Sequence, residues 1–133
     1  MKKVKCILLV DDDETTNFIN ELMIMEMGFA EKILQAHNGK EALDVLQKQE
    51  QQQLCLPELI LLDVNMPVMD GFDFLEAYQR MELPGKPSVI IIMLTTSLNP
   101  SDVERAKKTK IVDYVNKPLT QQSLEQILEK HVN

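Results

Sequence analysis

Short apolar runs alternate with amphipathic stretches along the chain, and this pattern predicts a fold of alternating strands and helices. Apolar, β-branched runs bounded by acids, prolines or glycines are typical of buried strands. Such runs occur at residues 4–10, 32–36, 59–63, 88–94 and 111–115. The run from Ser88 to Leu94 contains the longest unbroken apolar and β-branched stretch, which favours a central strand buried on both faces.

The stretch after the first run predicts a helix. Asp13 is a candidate N-cap, and Gly28 is a candidate stop signal. Apolar residues follow the cap at roughly helical spacing, namely Phe18, Ile19, Leu22, Met23 and Met25. We interpret the methionines of this helix as core filler, because Met adapts to irregular gaps.

Further helix signals lie between the later runs. Asn38 with Glu41 three residues on predicts a helix start, and Asp70-Gly71 opens the next helix. The Gln-rich residues 47–53 indicate a frayed helix end, whereas Asn99-Pro100 precedes a weakly amphipathic helix over 101–109. The expected apolar faces are formed by Ala42, Leu43 and Leu46, by Phe72, Leu75, Ala77 and Tyr78, and by Leu124, Ile127 and Leu128.

Five strands alternating with five helices predict a parallel sheet covered on both faces, an α/β doubly wound fold. The chain has 133 residues, so we expect one domain spanning 1–133. Right-handed crossovers place the carboxyl ends of all strands at one edge, where ligands bind in such sheets. The polar residues just past those ends are Asp11, Asp12, Asp63, Thr95 and Lys117.

Composition and charge exclude several classes of function. The formal charge of −7 argues against nucleic-acid and anionic-membrane binding, since both need basic surfaces. No apolar run reaches the length of a membrane span, and the first run is too short for a signal peptide. Cys6 and Cys55 make neither a disulfide framework nor a zinc site. We therefore expect a reduced, cytoplasmic protein.

The converging side chains indicate phosphoryl chemistry. Crowded carboxylates repel one another unless a cation intervenes, and Mg²⁺ suits a site of few carboxylates completed by water and phosphate. Asp63 would then act as the nucleophile, while Lys117 and the Thr95 hydroxyl contact phosphoryl oxygens. The acidic run leaves the metal pair open between Asp11 with Asp12 and Asp12 with Asp13. The first pair follows the apolar strand immediately and is preferred.

Four motifs at successive strand ends resemble those of response-regulator receiver domains of two-component signalling. They are Leu8 to Asp13, Leu62 to Gly71, Leu94-Thr95-Thr96 and Tyr114 to Pro118. The resemblance spans essentially the whole chain and implies a flavodoxin-like (βα)5 fold with strand order 2-1-3-4-5. Four ordered motifs together are a far stronger signal than any one alone.

The resemblance also implies roles for individual residues. Asp63 would be the phosphoacceptor, and Asp11, Asp12 and the backbone carbonyl of Asn65 would complete a Mg²⁺ site. Thr95 and Lys117 would contact the phosphoryl group, and Tyr114 would be the switching aromatic, although core packing remains open for it. The donor would be a sensor histidine kinase or a histidine phosphotransfer protein. Such a domain catalyses only its own phosphorylation and dephosphorylation, so we expect no classical enzyme.

Several readings remain open at this point. The chain ends at its last predicted helix, so we expect output through a downstream protein partner that the sequence does not identify. The domain would be either a binding switch or a phosphorelay intermediate. Residues 11–15 also contain the Asp-x-Asp-x-Thr pattern of haloacid-dehalogenase phosphatases, with Asp11 as nucleophile. A binding module that no longer accepts phosphate is the third alternative.

Overall fold

A five-stranded parallel sheet forms the centre of the molecule. The computed structural model describes residues 4–52, 54, 56–64, 66, 68–81, 89–95, 104 and 113–131. The strands are β1 (Val4–Val10), β2 (Ala30–Ala36), β3 (Leu59–Asp63), β4 (Ile90–Thr95) and β5 (Asp113–Asn116). They pair in parallel in the order β2-β1-β3-β4-β5, which confirms the predicted α/β class and strand order.

Helices cover both faces of the sheet. Those in the described part of the chain are α1 (Glu14–Met27), α2 (Gly39–Gln51), α3 (Gly71–Arg80) and α4 (Gln121–His131). Alternate side chains of β1, β3 and β4 join α2 and α3 in one buried cluster, and the intervening side chains join α1 and α4 in the other. The sheet is therefore doubly wound. None of the helices in these ranges is long and apolar enough to cross a membrane.

The helix boundaries follow the capping signals of the sequence. Asp13 caps α1 by accepting a hydrogen bond from Thr15 N, and Gly28 ends the helix in the left-handed region at φ 70°. Asn38 caps α2 through Glu41 N. At α3, Asp70 accepts from Asp73 N while the Asp73 carboxylate accepts from Asp70 N, a reciprocal capping box.

Some element boundaries differ from the expectation. β2 begins at Ala30 instead of residue 32, and β4 and β5 extend beyond the predicted ends to Thr95 and Asn116. The Gln-rich end of α2 stays helical to Gln51, and Gln49 within it is buried. The predicted cap at Asn99-Pro100 lies outside the described residues, as does the helix over 101–109 except for helical Glu104.

The apolar face predicted for α1 is largely exposed, and this part of the interpretation is wrong. The exposed fractions are 50% for Phe18, 58% for Ile19, 48% for Leu22 and 61% for Met25, whereas the buried residues of α1 are Asn17, Asn20 and Ile24. Met25 is therefore not core filler, whereas Met23 and Met27 are partly buried and pack against the cluster formed with α1 and α4, as predicted. Residues 18, 19, 22 and 25 lie within about one third of a helical turn, so they form one stripe, the α1 stripe.

Candidate functional site

Three acidic residues meet at the carboxyl edge of the sheet. Asp11 follows Val10, the last β1 residue paired with β2, and Asp63 is the last residue of β3. Asp11 and Asp63 are 2% and 4% exposed, whereas Asp12 is exposed. Carboxylate oxygens of the three residues all lie within 4.8 Å of one another. The sheet topology thus brings residues more than fifty positions apart into one acidic cluster.

The third residue of the acidic run has a different environment. The Asp13 carboxylate accepts from Thr15 N at 3.0 Å and from the Thr16 hydroxyl at 2.9 Å. The hydrogen bond from Thr16, followed by that from Thr15, lowers the pKa of Asp13. Because Asp13 is used as a helix cap, the acidic cluster of the described residues contains Asp11 and Asp12. Asp13 is also the second acid of the Asp-x-Asp-x-Thr pattern, so that acid is used as a helix cap.

Lys117 places an ammonium between the two buried carboxylates. Its Nζ lies 2.8 Å from Asp11 Oδ2 and 3.0 Å from Asp63 Oδ1. Burial alone would lower the pKa of Lys117, but hydrogen bonds to Asp11 and Asp63 outweigh it and raise the pKa above its usual value. The lysine is therefore a permanent positive charge at neutral pH, and its presence offsets the repulsion between the acids.

Backbone hydrogen bonds fix where Lys117 leaves β5. Lys117 N donates to Thr95 O at 2.7 Å, directly after the last register pair of β4 and β5. Thr95 itself is the last residue of β4 and is 1% exposed. Its neighbour Leu94 pairs with Asp63, so the threonine lies one residue farther toward the carboxyl edge of the sheet that carries the acidic cluster, the active edge. The structure therefore places Asp11, Asp12, Asp63, Thr95 and Lys117 at the same edge of the sheet, as predicted from the strand ends.

Two further residues, Asn65 and Tyr114, were predicted to belong to the site. Asn65 lies outside the described residues, so its backbone carbonyl remains a prediction. Tyr114 lies in β5 with 47% of its surface exposed, so the core-packing alternative is wrong. It lines a surface groove of about 280 Å³ with Val115, Ile127 and Lys130.

Gly71 brings the start of α3 unusually close to the acidic residue of β3. A Cβ at Gly71 would lie 2.6 Å from Asp63 O and 3.1 Å from Val64 Cα. Gly71 N also donates to Val64 O at 2.9 Å. The sequence identified Gly71 only as part of a helix start. Only the packing of β3 against the start of α3 shows why position 71 has no room for a side chain.

Asn17 is the second residue that sequence reasoning missed. Its side-chain Nδ2 donates to Asp11 O at 3.1 Å and to Ala36 O at 3.3 Å. The side chain is buried, so these contacts join the ends of β1 and β2 beneath the acidic cluster. A signal existed in the sequence, since asparagine is unfavourable inside a helix unless its side chain has a specific partner.

The donor set of the cluster fits a small divalent cation. Three carboxylates supply hard oxygen ligands, and exposed Asp12 leaves one side of the cluster accessible to solvent. Mg²⁺ is held in proteins by one or two carboxylates with water and phosphate, which matches this combination. Soft ligands are absent from the cluster, because the described cysteine, Cys6, is buried within β1 and is not part of the group. Carboxylates that could hold a cation and a lysine thus lie at one edge of the sheet, and phosphoryl-transfer sites use groups of this kind.

Comparisons with known proteins find one family that this chain resembles along most of its length. The response regulator receiver domain model matches residues 7–129. The probable methanogenesis regulatory protein FilR2 of Methanothrix harundinacea is 32% identical over 93% of this chain and 79% of its own length. Among solved structures, a two-component response regulator from Cytophaga hutchinsonii has a TM-score of 0.87 at 30% identity, with 99% of each chain covered.

A second solved structure is informative about the acidic cluster. The receiver domain of sensor histidine kinase PA1611 from Pseudomonas aeruginosa has a TM-score of 0.78 and 26% identity, with 96% of this chain and 97% of that chain covered. That protein was crystallised with a magnesium ion coordinated in its active-site cleft.

Proposed function

Because this chain belongs to the response regulator receiver domain family, we propose that it is a signalling switch in which Asp63 accepts a phosphoryl group. The observation that carries the proposal is the convergence of Asp63 with Asp11, Asp12 and Lys117 at one edge of the sheet. A carboxylate oxygen of Asp63 attacks the phosphorus of a phosphohistidine. An O–P bond forms as the P–N bond breaks, and the leaving imidazole takes up a proton.

Asp11, Asp12 and Asp63 would hold Mg²⁺, with the backbone carbonyl of Asn65 as a further ligand. The bound ion would supply positive charge to the phosphoryl oxygens. Carboxylate oxygens of the three acidic residues lie within 4.8 Å of one another in the described structure, and this separation supports a shared cation. Asp11 contributes a preorganised ligand, because its Oδ1 already accepts from Asp13 N at 3.0 Å.

The Lys117 ammonium would stabilise the negative charge that develops on the phosphoryl oxygens during transfer. Its ammonium contacts Asp63 Oδ1 at 3.0 Å, so it needs only a small movement to reach an oxygen of a phosphoryl group on that carboxylate. Thr95 is buried on the neighbouring strand, and its hydroxyl would donate a hydrogen bond to another phosphoryl oxygen. These are fixed electrostatic contributions of the kind that stabilise phosphoryl transfer.

The switch itself would operate through β4 and β5. Contact of Thr95 with the phosphoryl group would draw its side chain toward Asp63, and the exposed Tyr114 on β5 would respond by changing its position. Phosphorylation shifts the two states only if the phosphoryl contacts differ between them. The half-exposed ring and the adjacent groove supply a surface on which a downstream protein would register the change.

The exposed α1 stripe would be a contact surface for the protein that donates the phosphoryl group. Ile19 of the stripe also lines an apolar groove of about 360 Å³ with Lys117, Pro118 and Leu119, so the stripe is continuous with the active edge. The stripe consists of four residues that are each exposed by about half. Each partner of a stable interface contributes roughly 20–30 residues, so a contact centred on this small stripe would be transient.

Charge indicates the chemistry of that donor. Acidic Glu14 and Glu26 flank the two ends of the stripe, and the whole chain carries −7. We expect a histidine kinase or histidine phosphotransfer protein with an apolar contact surface and a basic rim. Leu22→Glu, at a stripe residue that does not line the groove with Lys117, should slow transfer from such a protein while phosphorylation by acetyl phosphate stays unchanged. Leu54→Glu, at another exposed leucine, is the matched control.

The experiment for the central proposal uses acetyl phosphate with Mg²⁺, or beryllofluoride as a mimic. Wild type should gain one phosphoryl group by mass spectrometry, and Asp63→Asn should gain none. Asp44→Asn, an exposed aspartate on α2, should behave as wild type. Equal labelling of wild type and Asp63→Asn would contradict the proposal. Turnover of a phosphate ester that is lost in Asp11→Asn but kept in Asp63→Asn would favour a phosphatase instead.

A further inference from the structure

Asn17 is an unusual residue for its position in α1. It is 1% exposed, while the large apolar residues of the same helix form the exposed α1 stripe. A helix normally buries its apolar residues and exposes its polar ones. A buried asparagine beside the acidic cluster therefore points to a role that an apolar side chain would not perform.

The contacts of Asn17 converge on the point where β1 leaves the sheet. Val10 and Ala36 are the last register pair of β1 and β2, and Asp11 N still donates to Ala36 O at 3.1 Å. Beyond that bond, Asn17 Nδ2 donates to Asp11 O at 3.1 Å and to Ala36 O at 3.3 Å. The amide thus extends the hydrogen bonding of the two strands by one further step.

The orientation of the Asn17 amide is determined by its partners. Both contacts of Nδ2 are backbone carbonyls, so exchanging Nδ2 and Oδ1 would place oxygen against two acceptors. In the observed orientation, Oδ1 is buried without a hydrogen-bond partner among the described residues. Leucine, of similar size, would fill the space without a buried unpaired Oδ1, but it could not donate to Asp11 O and Ala36 O, so packing alone does not account for an asparagine here.

The peptide held by Asn17 joins the two N-terminal acids of the cluster. The Asp11 carboxylate has its own contacts with Asp13 N and Lys117 Nζ. In the described part of the chain, no hydrogen bond or ion pair is found for the exposed Asp12 carboxylate. The position of Asp12 relative to Asp63 therefore depends on the backbone orientation of the Asp11–Asp12 peptide, which Asn17 fixes at its carbonyl oxygen.

We propose that Asn17 is a positioning residue that holds the Asp11–Asp12 peptide so that both carboxylates face a divalent cation shared with Asp63. The inference rests on the proposed Mg²⁺-dependent function and adds a residue to it. Hydrogen-bonding groups behind metal ligands typically change metal affinity by tenfold to a hundredfold when they are removed. Asn17 acts through one backbone carbonyl, so we expect the lower end, about tenfold.

The test compares Asn17→Leu with Asn20→Leu. Asn20 is also buried on α1, three residues farther along the helix, and provides the same substitution in the same helix. The dissociation constant for Mg²⁺ is measured by isothermal titration calorimetry, and the unfolding midpoint is measured in EDTA. Asn17→Leu should weaken Mg²⁺ binding about tenfold, while Asn20→Leu binds as wild type. The two variants should unfold at similar temperatures without metal.

A kinetic measurement separates positioning from damage to the fold. The rate of phosphorylation by acetyl phosphate should require about tenfold more Mg²⁺ for half-saturation in Asn17→Leu and reach the wild-type maximum. Wild-type Mg²⁺ affinity in Asn17→Leu would overturn the positioning role and leave the proposed function intact. A lowered unfolding midpoint with loss of rate at every Mg²⁺ concentration would assign Asn17 a structural role. Absence of Mg²⁺ binding by wild type would overturn both proposals.

Discussion

Removal of the Lys117 ammonium should leave the repulsion between the Asp11 and Asp63 carboxylates without compensation. Lys117→Met keeps most of the side-chain length but leaves Asp11 and Asp63 without the cation that contacts them at 2.8 and 3.0 Å. Both acids are nearly inaccessible to solvent, at 2% and 4% exposure. In the absence of metal, the free energy of unfolding should therefore fall.

The size of the effect follows from burial. Removing one partner of a buried ion pair costs about 3–5 kcal/mol, because the remaining charge stays buried without compensation. One fifth of the Lys117 side chain is exposed, so solvent reduces the effect and we expect about 3 kcal/mol. For a domain of this size, that corresponds to a fall in the unfolding midpoint of roughly 10 °C.

Thermal unfolding in EDTA and in saturating Mg²⁺ measures both parts of the prediction. Mg²⁺ should restore most of the lost stability in Lys117→Met, since the ion replaces the missing positive charge. Lys48→Met, at an exposed lysine of α2, should unfold within a few degrees of wild type in both conditions. A midpoint of Lys117→Met equal to wild type in EDTA would refute the reasoning, as would a loss that Mg²⁺ does not recover.

The stability that the Lys117 ion pairs contribute depends on pH, and the sign of this dependence follows from the pKa of the lysine. The folded pKa of Lys117 is raised above 10.5, its value in the unfolded chain. The contribution of the ion pair is therefore fully present below pH 10.5 and is lost as pH rises through the folded pKa. The stability difference between wild type and Lys117→Met should stay constant through neutral pH and shrink only in this alkaline range.

Three further predictions concern the elements around the site. Gly71→Ala should lower the free energy of unfolding by about 1–3 kcal/mol in urea titrations, because its Cβ would lie 2.6 Å from Asp63 O. Asp70→Ala should cost about 1 kcal/mol in the same assay through loss of the α3 cap, and Asp70→Asn should recover most of it. Burial raises the pKa of Tyr78 to about 12; in Tyr114→Phe, which leaves Tyr78 as the one tyrosine, ultraviolet titration should show ionisation near that pH. The contribution of Tyr78 to the free energy of unfolding should be constant below pH 10 and fall as pH rises to about 12, because the buried phenol resists the ionisation that the unfolded chain undergoes. Ionisation of the folded protein near pH 10 would contradict this.

The sheet and its active edge could be predicted from sequence because both depend on local pattern. Short apolar runs ending at Asp63 and Thr95 locate the strand ends, and parallel pairing brings those ends together whatever the exact boundaries are. The capping residues Asp13 and Asp70 define helix starts by the same local chemistry. These features needed no knowledge of the tertiary contacts.

The features that sequence reasoning missed all depend on tertiary packing. Periodicity places Phe18, Ile19 and Leu22 on one side of α1, but it does not say whether that side faces the sheet or the solvent. The burial of Asn17 follows from the carbonyl groups of Asp11 and Ala36, which belong to two different strands. Such partners are visible only once the elements are assembled.

The most direct measurement of the account is the identification of the residue that carries the phosphoryl group. Borohydride reduces an aspartyl phosphate to homoserine, so peptide mass spectrometry after treatment with acetyl phosphate, Mg²⁺ and borohydride reports the site. We predict homoserine at Asp63, dependent on Mg²⁺, with Asp11, Asp12 and Asp13 unchanged. Homoserine at position 11 with Asp63 unmodified, or no homoserine under conditions in which the protein binds Mg²⁺, would contradict the central claim.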